Sequence, residues 1–505
     1  MAINCSLILG ELVTSHQNEN FMNAAEQYDA LVLGSGTAGK LMAWTMAKEG
    51  KRTAVVERKY IGGSCVNVAC LPSKNVIHSA KVASLIGRHR EFGIETGPIA
   101  INMAGVYARK REMVDRIVQV HLEKYRAALD THRGNELILG DGTFVAPRTL
   151  RVALQDGGER TLTANRVFVN VGTHATIPDT PGLREAKPMT HIEALDLRNR
   201  PDSLIVLGGG YVGLELGQAL RRLGSRVTVI TRNSQLAEKE DADVAQAILQ
   251  MFHDEGIDVL LGTDVLRVEG LSGGHVSLQL ESRNGSRTVE GTDILVALGR
   301  TPNTRDIGLE KAGIEVTENG YIRVNDRLET TASNVWAMGE CAGSPFFTHV
   351  SEDDFSIIHE NLDGGHRSTA DRLVPYCVFI DPELARVGLN ESQARKKGVA
   401  YRLAFVPVDA AWRPWTLSER RGFMKTLIDV RSDRILGFTA FGPEAGELMG
   451  TVQVAMLAGV PYTVLRDAMF AHPTMTEGLK ALFMGVPVAP DNQDERLRYM
   501  QTTAD

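Results

Sequence analysis

The chain has 505 residues, of which 43% are hydrophobic and 23% are charged, and its formal net charge is -7. Such a length suits about two to four domains, each with its own core. No apolar run reaches the roughly 18 residues of a membrane-spanning helix, so no membrane span is predicted. Because the charge is mildly acidic and no long basic block is present, nucleic acid is not expected as a partner.

Residues 1–27 contain a short apolar stretch, but they have no basic leader and no convincing small-residue cleavage site. We therefore predict an N-terminal extension, a fold that begins near Tyr28 and a cytoplasmic location. The five cysteines are too few and too scattered for a secreted disulfide framework. Cys5, Cys341 and Cys377 are predicted to be isolated thiols.

The first predicted unit, residues 28–57, has the order strand, glycine-rich turn, helix and strand. In the turn, Gly34 permits a tight bend, Gly36 lets the backbone approach a pyrophosphate, and Gly39 lets the helix pack on the strand. Glu57 ends the next strand, where it can accept hydrogen bonds from a ribose. This pattern predicts a dinucleotide site.

The segment after this unit contains Cys65 and Cys70, separated by four residues, at the entrance to a helix predicted over 73–83. Two thiols at this spacing can close a small disulfide ring, and a helix N-terminus lowers a thiol pKa and favours exchange. A pair of buried small hydrophobic side chains is the plain alternative. Zinc is another alternative, but further ligands are not close in sequence, and no metal site is predicted.

Further along the chain, a polar-faced helix is predicted over 105–130 and strands over 134–172. Residues 203–230 then repeat the first unit, with Gly208, Gly210 and Gly213 in the turn. The second strand of this repeat is followed by Thr231 and Arg232 instead of an acidic residue, which removes a ribose acceptor and supplies a cation for a 2'-phosphate. A second dinucleotide site is therefore predicted, with NADPH favoured over NADH.

Two features of the second unit suit NADH instead, namely Gly213 and the presence of Glu238 where a second arginine is expected. Strands and turns follow over residues 256–299. From residue 373 to 483 the pattern changes to strands followed by two helices without a glycine-rich turn, which is typical of an α+β domain used for assembly. Residues 486–505 are polar.

The motifs resemble those of the flavoprotein disulfide reductases, the family of dihydrolipoamide dehydrogenase, glutathione reductase and mercuric reductase. Besides the cysteine segment, the resemblance over residues 28–485 rests on segments 169–173, 297–303, 334–343 and 472–477. It implies an α/β fold with two Rossmann-like dinucleotide-binding domains, for FAD and NAD(P), and a C-terminal α+β dimerisation domain. The expected boundaries are 1–27 for the extension, 28–177 and 297–371 for the FAD-binding domain, 178–296 for the NAD(P)-binding domain, 372–485 for the dimerisation domain and 486–505 for the tail.

The resemblance also implies a role for each matching catalytic residue. Cys70 would face the flavin and form a charge-transfer thiolate, and Cys65 would be the interchange thiol that attacks the substrate. Lys74 and Glu215 would form an ion pair beside the flavin N5. Tyr211 would cover the nicotinamide pocket until the nucleotide enters.

His472 and Glu477 would come from the other subunit of a homodimer, the carboxylate orienting the imidazole and the imidazole moving a proton for the interchange thiol. His349, at the start of a predicted helix, would lie near the pyrimidine end of the flavin. The positions expected to bind the two cofactors are Gly34, Gly36, Gly39, Glu57, Lys74, Gly172, Gly208, Gly210, Tyr211, Gly213, Arg232, Gly299, Arg300, Gly339, Glu340 and His349.

Two positions depart from the family pattern: Ala69 replaces a glycine, and Glu340 replaces the aspartate that holds the flavin ribityl chain. The leading hypothesis is electron transfer from NADPH through FAD and the Cys65–Cys70 pair to a small-molecule disulfide. A second hypothesis makes the acceptor an oxidant or a metal ion such as Hg(II) or Cu(II). A third makes the protein a non-catalytic flavoprotein redox sensor.

Mercuric reductase is a specific alternative, because segments 65–70 and 443–446 look similar to its own. Three sequence features argue against a mercuric reductase. We expect no N-terminal metal-binding domain and no C-terminal cysteine pair to receive mercury, and His472 stands where those enzymes carry tyrosine. No substrate signature is recognised elsewhere, and Trp412, Arg413 and Trp415 are interpreted as surface or packing residues.

Overall fold

The structure is a computed structural model, and it describes residues 25–98, 100–130 and 134–489. The predicted extension up to residue 24, which includes Cys5, and the predicted tail after residue 489 lie outside these ranges. The first strand begins at Glu26, two residues before the predicted start of the fold. In the part of the chain described, no helix is both long enough and apolar enough to cross a bilayer.

Of the strands in the described residues, fifteen lie in the first two thirds of the chain, and five lie in the last third together with six of the helices. The strands in chain order are β1 (Glu26–Leu33), β2 (Thr53–Glu57), β3 (Glu136–Ala146), β4 (Thr149–Leu154), β5 (Glu159–Val169), β6 (Thr173–Ala175), β7 (Ser203–Leu207), β8 (Arg226–Ile230), β9 (Asp258–Leu260), β10 (Thr263–Leu271), β11 (His275–Ser282), β12 (Gly285–Gly291), β13 (Asp293–Val296), β14 (Arg300–Pro302), β15 (Val335–Ala337), β16 (Tyr376–Val378), β17 (Glu383–Gly388), β18 (Tyr401–Pro407), β19 (Phe423–Asp429) and β20 (Ile435–Gly442).

The helices in chain order are α1 (Thr37–Lys48), α2 (Ser64–Asn67), α3 (Cys70–Gly87), α4 (Met103–Leu129), α5 (His191–Leu195), α6 (Tyr211–Arg222), α7 (Ala242–Asp254), α8 (Thr348–Leu362), α9 (Glu391–Lys396), α10 (Arg413–Thr416), α11 (Ala445–Leu457), α12 (Tyr462–Asp467) and α13 (Gly478–Met484). Four of the helices, α2, α3, α6 and α8, carry both cysteines, the predicted ion pair, Tyr211 and His349.

The first sheet contains β1 to β5 and β15. Strand β1 pairs in parallel with both β2 and β5, and β5 pairs in parallel with β15. The interior of β1 is a continuous buried run, Leu31, Val32 and Leu33, as expected for a parallel strand covered on both faces. Its first connection passes through α1, which places the first glycine-rich turn at the carboxyl end of β1.

The second sheet is parallel and has the strand order β13-β7-β8-β9. The antiparallel strands β10, β11 and β12 form a separate small sheet beside it. Strands β6 and β14 pair antiparallel, with Thr173 opposite Pro302 and Ala175 opposite Arg300. The chain therefore enters and leaves this second region through one two-stranded ribbon.

The third sheet has the order β16-β17-β20-β19-β18 and is antiparallel throughout. Helices α11 and α13 pack on it through buried residues such as Leu448, Val452, Leu479 and Leu482. This arrangement agrees with the α+β organisation predicted for the C-terminal part.

Two predicted helix starts are wrong by a few residues, and both corrections affect the site. Helix α3 begins at Cys70 instead of residue 73, and α8 begins at Thr348, one residue before His349. The sequence pattern suggested a start after Pro72, but a proline fits the first turn of a helix because no intrahelical N–H bond is required there. Cys70 is therefore inside the first turn of its helix.

Candidate active site

Cys65 and Cys70 lie at the starts of two consecutive helices. Cys65 is the second residue of α2, and Cys70 is the first residue of α3. Both are free thiols and both are half-buried. The two thiols hydrogen-bond to each other, and the Sγ of Cys70 also lies 3.3 Å from the hydroxyl Oγ1 of Thr348, the first residue of α8.

The hydrogen bond between the thiols separates their acidities. Donation from the Cys65 thiol lowers the pKa of Cys70 from 9.0 to about 6, and the Thr348 hydroxyl and the Lys74 ammonium act in the same direction against the effect of burial. The same hydrogen bond, together with burial, raises the pKa of Cys65 well above its usual range. The surroundings of the pair therefore favour ionisation of Cys70 over ionisation of Cys65.

Lys74 and Glu215 form an ion pair between the cysteine helix and the second dinucleotide unit. The Nζ of Lys74, one turn after Cys70 on α3, lies 2.7 Å from the Oε2 of Glu215 on α6. The other carboxylate oxygen of Glu215 accepts a 2.8 Å hydrogen bond from the backbone N–H of Phe379. The Lys74 ammonium lies 4.7 Å from the centre of the Phe379 ring. The structure thus brings together two residues that are 141 positions apart in sequence.

The first glycine-rich turn leaves room for backbone only. A Cβ on Gly39 would lie 2.1 Å from the carbonyl oxygen of Gly34, and a Cβ on Gly36 would lie 2.5 Å from the Oδ1 of Asn170. The side chain of Glu57 is fixed at the end of β2, where it accepts hydrogen bonds from Ser35 N at 2.9 Å and Ser35 Oγ at 2.7 Å. A backbone cradle beside a buried carboxylate fits the pyrophosphate and ribose of a dinucleotide such as FAD.

The remaining residues predicted to bind the flavin meet around the β6–β14 ribbon. The Oε2 of Glu340 accepts hydrogen bonds from the Thr173 hydroxyl and from the Nε of Arg300, the latter at 3.1 Å. Gly172 and Gly299 have positive φ angles of 65° and 108°, which permit the chain to turn into and out of the ribbon. Glu340 also lies close enough to Cys70 to oppose its ionisation. Gly339, φ 71°, precedes it, and a Cβ there would lie 3.0 Å from Asn170 and Ser351 side-chain atoms.

The second glycine-rich turn has the same construction. A Cβ on Gly213 would lie 2.2 Å from the carbonyl oxygen of Gly208, whereas a Cβ on Gly210 would meet open space. Arg232 follows β8 and is exposed. Within the described residues it forms no ion pair, while the nearby Glu238 accepts a 2.8 Å hydrogen bond from the Asn233 side chain. The turn fits a second dinucleotide, with Arg232 available to an anionic group.

Two ring residues of the prediction, Tyr211 and His349, lie at opposite ends of a row of four stacked rings. Tyr211, the first residue of α6, stacks on Tyr376 with a centroid distance of 5.7 Å, and Tyr376 stacks on Phe347 at 5.5 Å. Phe347 in turn stacks on His349 at 5.3 Å. The Nε2 of His349 lies 2.8 Å from the carbonyl oxygen of Pro375. The Phe347 ring and the Pro375 carbonyl oxygen therefore hold the His349 side chain at the start of α8.

His472 and Glu477 are in contact with each other. The Nδ1 of the histidine lies 2.9 Å from the Oε2 of the glutamate, and the side chains are 64% and 15% exposed. Helix α13 begins directly after Glu477 and packs on α12, β18 and β19 of the same C-terminal region. The predicted pair therefore exists in a single chain, with the carboxylate sheltered and the imidazole presented at the surface.

The other residues singled out in the sequence lie outside this site or at its edge. Cys341 is fully buried and free, and burial raises its pKa to about 11, so it is an isolated thiol as predicted. Cys377 is also free, and burial raises its pKa. Trp412 and Trp415 are 63% and 50% exposed and are surface residues.

Sequence reasoning missed three residues of the site. Thr348 contacts Cys70, and Glu240 and Tyr376 contact the side chain of Tyr211. Thr348 precedes the predicted start of a helix at His349, but its contact joins it to Cys70 over 278 positions, which no local pattern specifies. No local pattern marks Glu240 or Tyr376, which meet Tyr211 only after the chain has folded.

A thiol pair placed beside two dinucleotide-type turns, with a lysine–carboxylate pair between them, defines a two-cofactor thiol oxidoreductase. The chain belongs to the pyridine nucleotide-disulphide oxidoreductase family, whose model matches residues 28–354. The dimerisation domain of that family matches residues 374–483. The fold, the enzyme class and the need for flavin and pyridine nucleotide cofactors follow from this membership, and the dimerisation domain suggests a homodimer.

Among its relatives, the probable pyridine nucleotide-disulfide oxidoreductase RclA of Escherichia coli is 34% identical over 90% of this chain and 99% of its own length. Mercuric reductase of Bacillus cereus is 32% identical over 90% of this chain and 70% of its own length. The solved structure of the Cu(II) complex of the HOCl-induced flavoprotein disulfide reductase RclA from Escherichia coli matches with a TM-score of 0.82 at 33% identity, covering 91% of this chain and 99% of that one. The protein is thus an RclA-like flavoprotein disulfide reductase with mercuric reductases among its relatives.

Proposed function

We propose that the enzyme takes electrons from NADPH and delivers them through Cys65 and Cys70 to a small-molecule disulfide. The observation that carries the proposal is the environment of Cys70. Its thiol lies at the first position of α3, contacts Cys65 and Thr348, and has a pKa lowered to about 6. A pair divided into one thiolate and one thiol is suited to disulfide exchange.

Bound FAD would supply the transfer of two electrons from the nucleotide to the Cys65–Cys70 disulfide. In the reduced pair, the Cys65 sulfur attacks one sulfur of the acceptor after losing its proton, forming a mixed disulfide and releasing the other acceptor sulfur as a thiol. Cys70 then attacks Cys65, which re-forms the internal disulfide and releases the second acceptor thiol. Two electrons thus leave with the acceptor, together with the Cys65 proton and one proton taken up from solvent.

His472 is the proposed acid and base for these steps. The exposed imidazole is oriented by the sheltered carboxylate of Glu477, and it would receive the Cys65 proton and return one to the leaving thiolate. Because both residues belong to the region that matches the dimerisation domain, we propose that a second copy of the chain supplies them to the cysteine pair. The active site would then be shared between two subunits.

The role of the cysteine pair can be tested by reducing the purified flavoprotein with two electrons. A long-wavelength charge-transfer band is expected, because an ionised Cys70 would lie beside the oxidised flavin. Cys70→Ser should show no such band, whereas Cys65→Ser, which has no disulfide to reduce, should show it already in the oxidised flavoprotein. Survival of the band in Cys70→Ser would overturn the assignment of roles.

The proposed preference for NADPH rests on Arg232 at the end of β8, which is exposed and available to a 2'-phosphate. Initial rates with NADPH and NADH should differ in favour of NADPH, and Arg232→Ala should reduce the difference by about tenfold. Equal or higher efficiency of the wild type with NADH would reject the preference.

Metal-ion reduction is the second candidate, because the relative in the matching solved structure is described as a Cu(II) complex and a further relative is a mercuric reductase. Oxidation of the thiol–thiolate pair to the disulfide would reduce two Cu(II) to two Cu(I) and release one proton. A panel with lipoamide, glutathione disulfide, Cu(II) and Hg(II), followed by NADPH loss, distinguishes the candidates.

The variant His472→Ala distinguishes disulfide reduction from metal-ion reduction. Turnover of a disulfide should fall by about 100-fold, since a leaving thiolate needs a proton donor. Reduction of Cu(II) has no such leaving group and should change little. Wild-type turnover with metal ions alone, unaffected by His472→Ala, would favour the second candidate.

A further inference from the structure

Tyr211 occupies a position between the second glycine-rich turn and the cysteine helix. It directly follows Gly210 and begins α6. Glu215 lies one turn further along α6 and pairs with Lys74 on α3. A dinucleotide bound at such a turn places its pyrophosphate at the helix N-terminus, so it would lie next to Tyr211.

One buried carboxylate holds the Tyr211 ring. The Tyr211 hydroxyl donates a 2.5 Å hydrogen bond to the Oε1 of Glu240, and the Tyr376 hydroxyl donates to the same oxygen. The Nε of Arg386 lies 3.2 Å from the other oxygen, Oε2, and the Glu240 side chain is 0% exposed. We call Tyr211, Glu240, Tyr376 and Arg386 the Glu240 cluster.

The backbone around Glu240 is anchored to the C-terminal domain. The carbonyl oxygen of Lys239 accepts a 3.1 Å hydrogen bond from the Asn390 side chain. On the other side, Asp241 accepts hydrogen bonds from Ser392, 3.0 Å from N and 2.8 Å from Oγ, and pairs with Lys425 at 2.7 Å. Because Glu240 is fixed on both sides, the Tyr211 ring is the member of the cluster that can move.

Departure of Tyr211 would not leave Glu240 without partners. The carboxylate would keep the Tyr376 hydroxyl and the Arg386 guanidinium, so the buried charge would stay paired. What would be lost is one charge-assisted hydrogen bond and the stacking of Tyr211 on Tyr376. The ring can therefore adopt two positions without exposing an unpaired charge.

We infer that Glu240 is a positioning residue that holds Tyr211 across the nucleotide path, and that nucleotide binding must break the Tyr211–Glu240 hydrogen bond. The inference rests on the proposed function, because it takes the second turn as the nucleotide site. The apparent affinity for the nucleotide is then lower than the intrinsic affinity by the fraction of molecules in which Tyr211 has already moved. Because Arg386 and Tyr376 belong to the C-terminal domain and contact Glu240, that domain would influence the fraction of molecules in which Tyr211 has moved.

The test is a titration of the oxidised flavoprotein with NADP+ and, separately, with NAD+, followed by calorimetry and by the flavin absorption spectrum. Tyr211→Phe removes the hydroxyl and keeps the ring. We expect the dissociation constant of the preferred nucleotide to fall by about fivefold to tenfold in this variant. In steady state the KM for NADPH should fall while kcat does not rise.

Tyr28→Phe is a matched control, since it also removes a phenol that contacts a carboxylate, 3.3 Å from Glu26, but lies on β1 in the first sheet. It should leave the dissociation constant within about twofold. Tyr376→Phe leaves Tyr211 as the only phenol on Glu240 and should leave the constant unchanged or higher.

An unchanged or higher dissociation constant in Tyr211→Phe would overturn the inference, as would an equal fall in Tyr376→Phe. These outcomes are distinct from failure of the proposed function. If the wild type bound neither nucleotide, the second turn would not be the nucleotide site. If it bound NAD+ alone, the preference for NADPH would be wrong while the Tyr211 comparison would still decide the inference.

Discussion

Cys65 and Cys70 have the same side chain and opposite acidities, and the difference comes from their immediate neighbours. Cys70 accepts hydrogen bonds from the Cys65 thiol and the Thr348 hydroxyl and lies near the Lys74 ammonium, so its charged form is stabilised. Cys65 meets the negative charge of Cys70, which opposes its own ionisation. Ionisation of the pair is therefore ordered, with Cys70 first.

Thr348→Val should raise the pKa of Cys70, because the variant keeps the shape of the side chain and loses the hydroxyl donor. A lowered pKa means that Cys70 becomes a thiolate as the pH rises through about 6 in the wild type. In the variant the midpoint should move upward by about one pH unit. A pH titration of the charge-transfer band in the two-electron-reduced enzyme measures this midpoint.

Ser356→Ala on the same helix is the control, because the Ser356 hydroxyl bonds to the backbone of Glu352 and is exposed. Its midpoint should equal that of the wild type. A midpoint that stays near 6 in Thr348→Val would show that the Thr348 hydroxyl does not stabilise the thiolate.

At the scale of elements, the ion pair between α3 and α6 joins the cysteine helix to the second dinucleotide unit. Glu215→Gln removes the charge opposite Lys74, while the amide oxygen can still accept the Phe379 hydrogen bond. We expect the free energy of unfolding to fall by about 1–2 kcal/mol, since Glu215 is buried and Lys74 is one third exposed. Flavin reduction by NADPH should slow by about tenfold.

Asp115→Asn provides the comparison on a surface pair. Asp115 and Arg111 form an ion pair on α4, and both side chains are about two fifths exposed. Loss of this pair should change the free energy of unfolding by less than about 0.5 kcal/mol. Chemical denaturation and stopped-flow absorbance measure the two effects. Equal losses of stability in both variants would contradict a special role for the α3–α6 contact.

The connection between β1 and α1 makes a second prediction at this scale. Gly39→Ala would place a Cβ 2.1 Å from the carbonyl oxygen of Gly34, so the turn must open. We expect FAD binding to weaken by about tenfold or more, measured as flavin content after purification and by reconstitution of the apoprotein. Gly87→Ala, where a Cβ meets nothing within 4 Å, should retain its flavin.

At the scale of the whole molecule, the proposed shared site predicts complementation between two inactive variants. Cys65→Ser chains lack the attacking thiol, and His472→Ala chains lack the proton carrier. In a mixed dimer one site would combine an intact thiol from one chain with an intact imidazole from the other. Random mixing should restore about one quarter of the wild-type disulfide turnover, because half of the dimers are mixed and each has one complete site.

The measurement is NADPH-dependent disulfide reduction after the two variants are co-expressed and purified together. Mixing Cys65→Ser with Cys70→Ser is the control. One chain supplies both cysteines of a site, so every site in this mixed dimer lacks one cysteine and no activity should return. Failure of the first pair to recover activity, with mixed dimers present, would place the complete site within one chain.

Much of the architecture could be predicted from the sequence, because it depends on local patterns. The glycine turns, the buried strands beside them and the composition of the C-terminal region each lie within short segments, and the resemblance to a family joined them in one fold. Helix α3 starts three residues before the predicted position, and Pro72 fits its first turn.

The sequence by itself determined which side chains carry chemistry: the two cysteines, the lysine and carboxylate of the ion pair, and the histidine with its glutamate. Tertiary structure alone decided which groups surround the proposed thiolate, because Thr348 reaches Cys70 from 278 positions away. It also decided that Glu240 holds Tyr211, with Tyr376 and Arg386 completing the cluster. Acidity and ring position depend on the distances between groups from separate domains, and spacing along the chain does not specify those distances.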